Sequence, residues 1–256
     1  MDRFKLFDSH FHIIDKRFPL VANRGYLPNN FSVTDYLERT KDYNIAGGAI
    51  VSGSFQAFDQ TYLLAALAEL GPAFVGVTQL SEAVADEELV SLNSAGVRAV
   101  RFNLKRGGSA GVESLERFAN RIYEVVGWHT ELYVDAKDLP ELHGTLIKLP
   151  SVCIDHLGLS KAGSPHLLSL VEKGVSVKAS GFSRVDFEVK SALRKIVAIN
   201  PTALVFGTDL PSTRAPQPYS DNDYFMVVET LGEDLARQVF YENAISLYLP
   251  KKAAGS

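Results

Sequence analysis

The stretch Phe4-Lys5-Leu6-Phe7-Asp8-Ser9-His10-Phe11-His12 places a short apolar run directly before a polar cluster that contains two histidines. The apolar run predicts a buried strand. Side chains two residues apart share a face of a strand, so His10 and His12 are expected to point the same way, with Asp8 below them. Two such imidazoles can bind a metal, polarise a carbonyl or relay a proton. Alternatively, a histidine at a strand end only satisfies its own hydrogen bonds.

Short runs rich in β-branched residues alternate with amphipathic runs along the rest of the chain. Near-continuous apolar strands separated by helices are typical of a parallel sheet that is covered on both faces. Eight such units in about 250 residues favour the α/β class, as a single-domain (β/α)8 TIM barrel over residues 1–256. An open doubly wound sheet is the alternative, but it usually carries a G-x-G-x-x-G loop where this chain has histidines. The later strands are predicted at 46–51, 73–77, 97–102, 131–134, 152–155, 175–179 and 203–206.

The composition is ordinary for a globular protein, with 46% apolar residues, 22% charged residues and a net charge of -4. That charge gives no reason to expect nucleic acid or an anionic membrane as a partner, although local arginines can still bind a small anionic carboxylate substrate. Cys153 is the only cysteine and lies in an apolar run, which predicts a buried structural thiol. The start of the chain lacks a signal-peptide pattern and no apolar run approaches roughly 20 residues, so a cytoplasmic protein is expected.

Polar residues follow the predicted strands at the end where a barrel enzyme carries its active site. Arg101 is the most informative, because an arginine near a barrel mouth needs a carboxylate partner or an anionic ligand. Lys105 can be a solvated loop charge, and Asp135 or Asp155 can cap a neighbouring element. The other polar residues at these ends are His10, His12, Ser54, Asn103, Arg106, Tyr133, His156, Lys178, Ser180, Arg184 and Asp209. The remaining histidines, which are predicted to be surface or packing residues, are His129, His143 and His166.

Five motifs at the predicted strand ends span almost the whole chain. They are Asp8-Ser9-His10-Phe11-His12, Val97-Arg98-Ala99-Val100-Arg101-Phe102-Asn103, Asp155-His156-Leu157-Gly158, Lys178-Ala179-Ser180-Gly181 and Phe206-Gly207-Thr208-Asp209-Leu210-Pro211. In content and order these motifs resemble the amidohydrolase superfamily. More narrowly, they resemble the branch that contains 2-pyrone-4,6-dicarboxylate lactonase.

The resemblance implies a metal site only in part. In the superfamily that site uses the histidine pair, a carboxylate or carboxylated lysine on the fourth strand, histidines on the fifth and sixth, and an aspartate on the eighth. This chain matches the pair, His156 and Asp209, but Arg101 lies on its fourth strand and its fifth strand has no histidine. A guanidinium would repel a cation, which argues against a binuclear centre. His10, His12 and Asp209 could still hold a single divalent metal such as zinc.

The lactonase branch works without a required metal, so the resemblance implies that no cofactor is needed. By this resemblance, Asp209 is the general base that activates water, and three histidines polarise the lactone carbonyl. Imidazole N–H donors would then stabilise the oxyanion through which ester hydrolysis passes. Those histidines are His10, His12 and His156.

The resemblance also implies that arginines hold the carboxylates of the substrate. Arg101 and Arg184 match family positions directly, whereas Arg106 matches only if one residue is missing from its loop. The family often has a histidine where this chain has Ser212, which leaves the identity of the lactone open. Looser matches, as substrate contacts, are Ser54 and Tyr26.

Together these features favour a hydrolase that opens a carboxylated cyclic ester of the 2-pyrone-4,6-dicarboxylate type. The first alternative is a metal-dependent amidohydrolase or decarboxylase of a carboxylated ring compound, with His10, His12 and Asp209 as ligands. The second alternative is a non-catalytic barrel that binds an acidic ligand. The oligomeric state stays open, because the outer helices of a barrel look much the same in monomers and dimers.

Overall fold

Each of eight strands pairs in parallel with the next one along the chain, and the order in the sheet follows the order in the sequence. The computed structural model describes residues 3–249. The strands are β1 (Lys5–Phe11), β2 (Asn44–Val51), β3 (Phe74–Thr78), β4 (Val97–Phe102), β5 (His129–Leu132), β6 (Val152–Ile154), β7 (Ser176–Ala179) and β8 (Leu204–Phe206).

The sheet closes where the segment after β8 meets the end of β1. The Asp209 amide donates to the His10 carbonyl at 2.7 Å, and the His12 amide donates to the Leu210 carbonyl at 2.7 Å. These two hydrogen bonds join the end of the first strand to the segment that follows the last strand. With the strand order, they confirm the predicted (β/α)8 barrel.

Helices follow the strands and cover the outside of the barrel. The first begins as the sequence predicts, because Ser32 and Asp35 form a capping box in which the Ser32 amide donates to Asp35 Oδ2 at 2.7 Å. Within residues 3–249, every helix is too short or too polar to cross a membrane. The helices are α1 (Val33–Thr40), α2 (Thr61–Leu70), α3 (Asp86–Ser94), α4 (Leu115–Val126), α5 (Leu139–Leu146), α6 (Ser164–Glu172), α7 (Val189–Ile199), α8 (Asp221–Leu231), α9 (Glu233–Arg237) and α10 (Asn243–Tyr248).

Apolar side chains form two layers, one between the strands and the helices and one inside the barrel. Alternate residues of the strands divide between the layers, as expected for strands that are buried on both faces. Tyr248 of α10 belongs to the inner layer and stacks on Phe7, with 5.2 Å between the ring centroids. Cys153 also lies in this layer, so its predicted burial is confirmed, and burial raises the pKa of its thiol.

Asp8 departs from the prediction that it lies below the two histidines. A register shift follows Asp8 in the pairing of β1 with β2. Its carboxylate instead accepts hydrogen bonds from the Thr208 amide at 2.8 Å, the Thr208 hydroxyl at 2.7 Å and the Tyr36 hydroxyl of α1 at 3.2 Å. The prediction was wrong because this irregularity interrupts the two-residue period on which it rested. Burial raises the pKa of Asp8 to about 6.

Candidate active site

Three imidazoles and one carboxylate meet at the carboxyl ends of the strands. Their common point is Asp209 Oδ1, which lies 3.8 Å from His10 Nε2, 3.9 Å from His12 Nε2 and 4.0 Å from His156 Nε2. All four side chains are at most 5% exposed. The structure therefore brings together the four residues that the sequence predicted as catalytic, and their catalytic role stays a prediction.

Two of these residues lie in turns that directly follow a strand. His156 has a φ of +52° and Asp209 has a φ of +60°, in the left-handed region that is costly for residues other than glycine. Such strain, about 1–3 kcal/mol for each residue, persists only where the surrounding structure holds it. The Ser180 hydroxyl lies 2.9 Å from His156 Nδ1 and orients that ring. Both turns thus aim a polar side chain at the same point.

The imidazoles of His10 and His12 are oriented by different groups at their other ring nitrogen. His12 Nδ1 lies 2.7 Å from the carbonyl oxygen of Val51, at the end of β2. His10 Nδ1 lies 3.2 Å from Nζ of Lys178, on β7. Because each Nδ1 has a protein partner, each Nε2 is left to face Asp209.

The carboxylate of Asp209 is held through one oxygen and faces the site with the other. Arg184 contacts Oδ2 with Nε at 2.8 Å and with Nη2 at 2.7 Å. Oδ1 and the neighbouring His10 Nε2 have no hydrogen-bond partner within residues 3–249. Buried polar atoms are rarely left unpaired. These two atoms therefore mark the place where a water molecule, a substrate atom or a cation would bind.

Burial keeps the three imidazoles neutral. It lowers the pKa of His10, and the nearby Lys178 ammonium lowers that pKa further. The pKa values of His12 and His156 lie well below the usual range for histidine, because both rings are buried and both lie beside His10. A neutral imidazole donates a hydrogen bond from one nitrogen and accepts one at the other. The site can therefore offer both functions at neutral pH.

We expect the free energy of unfolding to fall as the pH drops from 7.5 to 5.5. These histidines have lower pKa values in the folded chain than their unfolded value of about 6.5, so the unfolded chain binds more protons below that pH. For each histidine that stays neutral in the folded chain, the loss between these two pH values is about 1.4 kcal/mol, most of it below pH 6.5. Asp8 opposes the trend, since its pKa is raised to about 6, but three histidines outweigh one carboxylate.

Urea unfolding at the two pH values measures this trend. His156→Gln should weaken the pH dependence. A stability that is constant or rises toward pH 5.5 would contradict the expectation.

Inside the barrel, a chain of contacts runs from Glu131 through Lys178 and Asp155 to Arg101, and the charge changes sign at each step. Lys178 Nζ lies 2.5 Å from Glu131 Oε2 and 3.4 Å from Asp155 Oδ1, and Arg101 Nη2 lies 2.7 Å from Asp155 Oδ2. Arg101 also donates to the Ser52 carbonyl at 2.8 Å. The partner that the sequence required for Arg101 is thus Asp155, which makes no capping hydrogen bond. Sequence reasoning missed the pairing of Glu131 with Lys178, although an inward charge on a barrel strand is itself a signal.

A cavity lies next to His12 and His156, with about 360 Å³ of space outside protein atoms, part of it open to solvent. Tyr26, which was predicted as a substrate contact, does not line this cavity. It lies instead under the Arg214 guanidinium, whose central carbon is 4.3 Å from the centroid of the Tyr26 ring. The predicted substrate-binding residues that do line the cavity are Ser54, Arg101, Arg106 and Arg184.

Arg214 also lines the cavity and was missed by the sequence reasoning. It donates to the Asn23 carbonyl and, at 3.0 Å, to Asn23 Oδ1, while Asn23 Nδ2 donates to the Arg106 carbonyl at 3.3 Å. Burial and the neighbouring charges of Arg106 and Arg24 lower the pKa of Arg214. The only sequence signal was its position five residues after Asp209, on the loop that follows β8.

In the part of the chain that the structure describes, two groups of residues could hold a metal ion: His10, His12 and Asp209, or His10, Asp155 and His156. The first group is the set predicted from the sequence, and its nitrogen and oxygen donors fit zinc by type. The second group does not fit a cation, because Lys178 Nζ lies 3.2 Å from His10 Nδ1 and 3.4 Å from Asp155 Oδ1. An ammonium at that position would repel a metal ion.

Comparisons with known proteins identify relatives of this chain. The family model described as amidohydrolase matches residues 7–249. A 2-pyrone-4,6-dicarboxylate hydrolase from Comamonas testosteroni is 25% identical, over 96% of this chain and 90% of that protein. A 4-sulfomuconolactone hydrolase from Rhizobium radiobacter is 23% identical, over 94% of this chain and 89% of that protein. The crystal structure of a probable 2-pyrone-4,6-dicarboxylic acid hydrolase from Acinetobacter baumannii, at 21% identity, covers 95% of this chain and 98% of its own, with a TM-score of 0.82.

The last comparison supports the barrel fold, and the family match covers nearly all the residues that the structure describes. The resemblance inferred from the five motifs is therefore confirmed. The family match and two curated relatives named as hydrolases favour an enzyme over the alternative of a non-catalytic barrel. The chain belongs to the amidohydrolase family.

Proposed function

We propose that the protein hydrolyses a cyclic ester that bears carboxylates, of the 2-pyrone-4,6-dicarboxylate type. The observation that carries the proposal is the unpaired Asp209 Oδ1, which faces three neutral imidazoles beside an arginine-lined cavity. Two relatives, one named for a pyrone dicarboxylate and one for a sulfomuconolactone, support a lactone with acidic groups as the substrate class.

In the proposed reaction, Asp209 is the general base. Arg184 holds Oδ2, so Oδ1 is the oxygen that can accept a proton from a water molecule. The water oxygen forms a bond to the ester carbonyl carbon while one of its protons passes to Oδ1. The carbonyl electron pair moves onto oxygen and produces a tetrahedral oxyanion.

An imidazole N–H would stabilise that oxyanion, and a preorganised donor of this kind contributes about 2.7–4 kcal/mol to lowering the barrier. The electron pair of the oxyanion then re-forms the carbonyl, and the bond from carbon to the ring oxygen breaks. The ring oxygen leaves with the proton that Asp209 took from water. The products are the opened carboxylic acid and the original Asp209 carboxylate.

The acidic groups of the substrate would bind to arginines that have no carboxylate partner in the protein. Arg101 and Arg184 each pair with an aspartate. Within residues 3–249, Arg106 and Arg214 have no such ion pair, and Asn23 hydrogen-bonds to both. We therefore assign substrate binding chiefly to Arg106 and Arg214, and the shaping of the site to the other two.

Arg214→Gln is expected to raise KM about 10- to 100-fold with a smaller effect on kcat, because one charge-assisted contact contributes about 1.5–3 kcal/mol. Steady-state kinetics on a carboxylated lactone measures both constants. Arg117→Gln, which removes the same charge from an exposed pair with Glu82, is the matched control. Equal KM values for the two variants would argue against a role for Arg214 in binding.

The second candidate is a metal-dependent hydrolase or decarboxylase, which the group of His10, His12 and Asp209 favours. An ion held there would polarise a substrate carbonyl or a bound water molecule. Lys178 beside His10 and Arg184 beside Asp209 place two positive charges against this group, which favours the metal-independent reaction.

The deciding experiment follows ring opening of 2-pyrone-4,6-dicarboxylate by the loss of ring absorbance, before and after treatment with a chelator. We expect full turnover after chelation and far less than one transition metal per chain. Turnover that is lost on chelation and restored by zinc would establish the second candidate. Ser212 stands where the family often has a histidine, and it accepts a hydrogen bond from the Tyr219 amide at 2.9 Å. Because this difference leaves the identity of the lactone open, the experiment should include a panel of carboxylated and sulfonated lactones. Failure on the whole panel would overturn the proposed function.

A further inference from the structure

The Nδ1 partners of His10 and His12 are of opposite hydrogen-bonding character. Val51 presents a carbonyl oxygen to His12 at 2.7 Å, and a carbonyl oxygen can only accept. His12 therefore carries its proton on Nδ1. Lys178 presents an ammonium to His10 at 3.2 Å, and an ammonium has no lone pair and can only donate. His10 Nδ1 must therefore be the acceptor, and the proton of the neutral ring lies on Nε2.

The surroundings of Lys178 keep it charged. Its side chain is fully buried between Glu131 Oε2 at 2.5 Å and Asp155 Oδ1 at 3.4 Å. Two carboxylates against one ammonium favour the charged form of this buried group. The Tyr248 hydroxyl donates to the other Glu131 oxygen at 2.6 Å, so the carboxylate nearest to Lys178 is itself held in place.

Asp155 is the competing partner for His10. Its Oδ1 lies 3.4 Å from His10 Nδ1, farther than Lys178 Nζ, and Oδ1 has no hydrogen bond within residues 3–249. The other oxygen of Asp155 is bound by Arg101 at 2.7 Å, which restrains the carboxylate. Lys178 is therefore the nearer partner of His10 Nδ1 and the one in hydrogen-bonding geometry.

We propose that Lys178 is a positioning residue that fixes His10 as an Nε2–H donor, while the Val51 carbonyl fixes His12 as an Nε2 acceptor. The two tautomers follow from contacts within the protein. Their catalytic roles rest on the proposed lactone hydrolysis. This arrangement divides the work of two histidines that the family resemblance treats alike. It also makes His10 a poor metal ligand, since the ligating nitrogen would carry a proton.

A donor at His10 and an acceptor at His12 suit the proposed reaction. A water molecule between Asp209 Oδ1 and His12 Nε2 can donate one hydrogen bond to each, so that its lone pair is free to attack the carbonyl carbon. His10 Nε2–H is then the donor for the carbonyl oxygen and for the oxyanion that forms from it. The Nε2 atoms of His10 and His12 both lie within 3.9 Å of Asp209 Oδ1. One substrate carbonyl can therefore contact the His10 donor with its oxygen and the attacking water molecule with its carbon.

The first test needs no substrate. Long-range ¹H–¹⁵N spectra of the wild-type protein distinguish a protonated imidazole nitrogen from an unprotonated one, and His10→Asn and His12→Asn identify the signals. We expect His10 to be protonated at Nε2 only and His12 at Nδ1 only. A His10 signal with the proton on Nδ1 would overturn the proposal even if the enzyme hydrolyses lactones. The predicted tautomers without turnover of any lactone would leave the geometry standing and overturn the proposed function.

The second test removes the ammonium and its nearest carboxylate together, so that no unpaired charge stays buried. In Glu131→Gln/Lys178→Met, Asp155 becomes the partner of His10, and the ring should move its proton to Nδ1. We expect kcat to fall at least 10-fold with KM unchanged within 2-fold, relative to Glu131→Gln alone. Glu131→Gln/Lys178→Gln keeps an N–H donor at this position and should recover part of kcat and the original tautomer. Equal kcat values and one tautomer in all three variants would contradict control by Lys178.

Discussion

Asp209→Asn is expected to lower kcat for a lactone substrate about 10³-fold or more, because general-base catalysis supplies about 10²–10⁴-fold in rate. The amide keeps the shape of the carboxylate but cannot accept a proton from water at neutral pH. The loss should appear in kcat, since the groups proposed to bind the substrate, Arg106 and Arg214, are unchanged. Single-turnover and steady-state kinetics on the same substrate measure it.

Two controls separate loss of the base from loss of the site. Asp135→Asn changes a carboxylate at the end of β5 that pairs with Lys105 at 2.9 Å, outside the cavity, and should keep near-normal kcat. Calorimetric titration of Asp209→Asn with the lactone should still show binding. Near-normal turnover by Asp209→Asn would rule out Asp209 as the base.

The second large effect is on stability. Glu131→Gln leaves the fully buried ammonium of Lys178 without its nearest counter-charge, and breaking a buried ion pair from one side costs about 3–5 kcal/mol. The hydrogen-bonding shape of residue 131 is retained, so the change isolates the charge. Urea unfolding followed by the fluorescence of Trp128, the only tryptophan, measures the loss.

The double variant Glu131→Gln/Lys178→Met should recover most of that stability, since an apolar side chain no longer needs a buried partner. Glu229→Gln, which breaks an exposed pair with Lys190, is the matched control and should cost no more than about 1 kcal/mol. A double variant as unstable as the single one would show that the loss does not come from the unpaired ammonium.

The fold was predictable from the spacing of the apolar residues and from the order of the strands and helices. Eight apolar strands that alternate with helices have few ways to form a closed sheet. The limits of β5 were less accurate. The sequence predicts a strand from Glu131, whereas β5 begins at His129, whose ring is buried 3.3 Å from the Glu131 carboxylate. A polar residue at a strand start resembles a loop residue in sequence. The contact of His129 with Glu131 inside the barrel is what distinguishes it from a loop residue, and this contact is visible only in the structure.

The four residues at the centre of the candidate site were predictable from the sequence, but the ion pairs around them were not. His10, His12, His156 and Asp209 converge because strand ends of a barrel share one face. Which cation meets which carboxylate depends on distances across the barrel that no local period encodes. For that reason Arg101 and Arg184 were predicted to bind the substrate, although each pairs with an aspartate of the protein. Arg214 was not predicted as a site residue for the same reason.

The two backbone hydrogen bonds that close the barrel join His10 to Asp209 and His12 to Leu210. The seam of the cylinder and the proposed reaction centre are therefore the same few residues. Main-chain atoms make the seam and side-chain atoms make the centre, so substitutions of the side chains can remove chemistry without opening the cylinder. An unclosed folding intermediate, by contrast, would hold His10 and His12 on one edge of the sheet and Asp209 on the other. Recovery of catalysis during refolding would then report the moment at which the first and last strands meet.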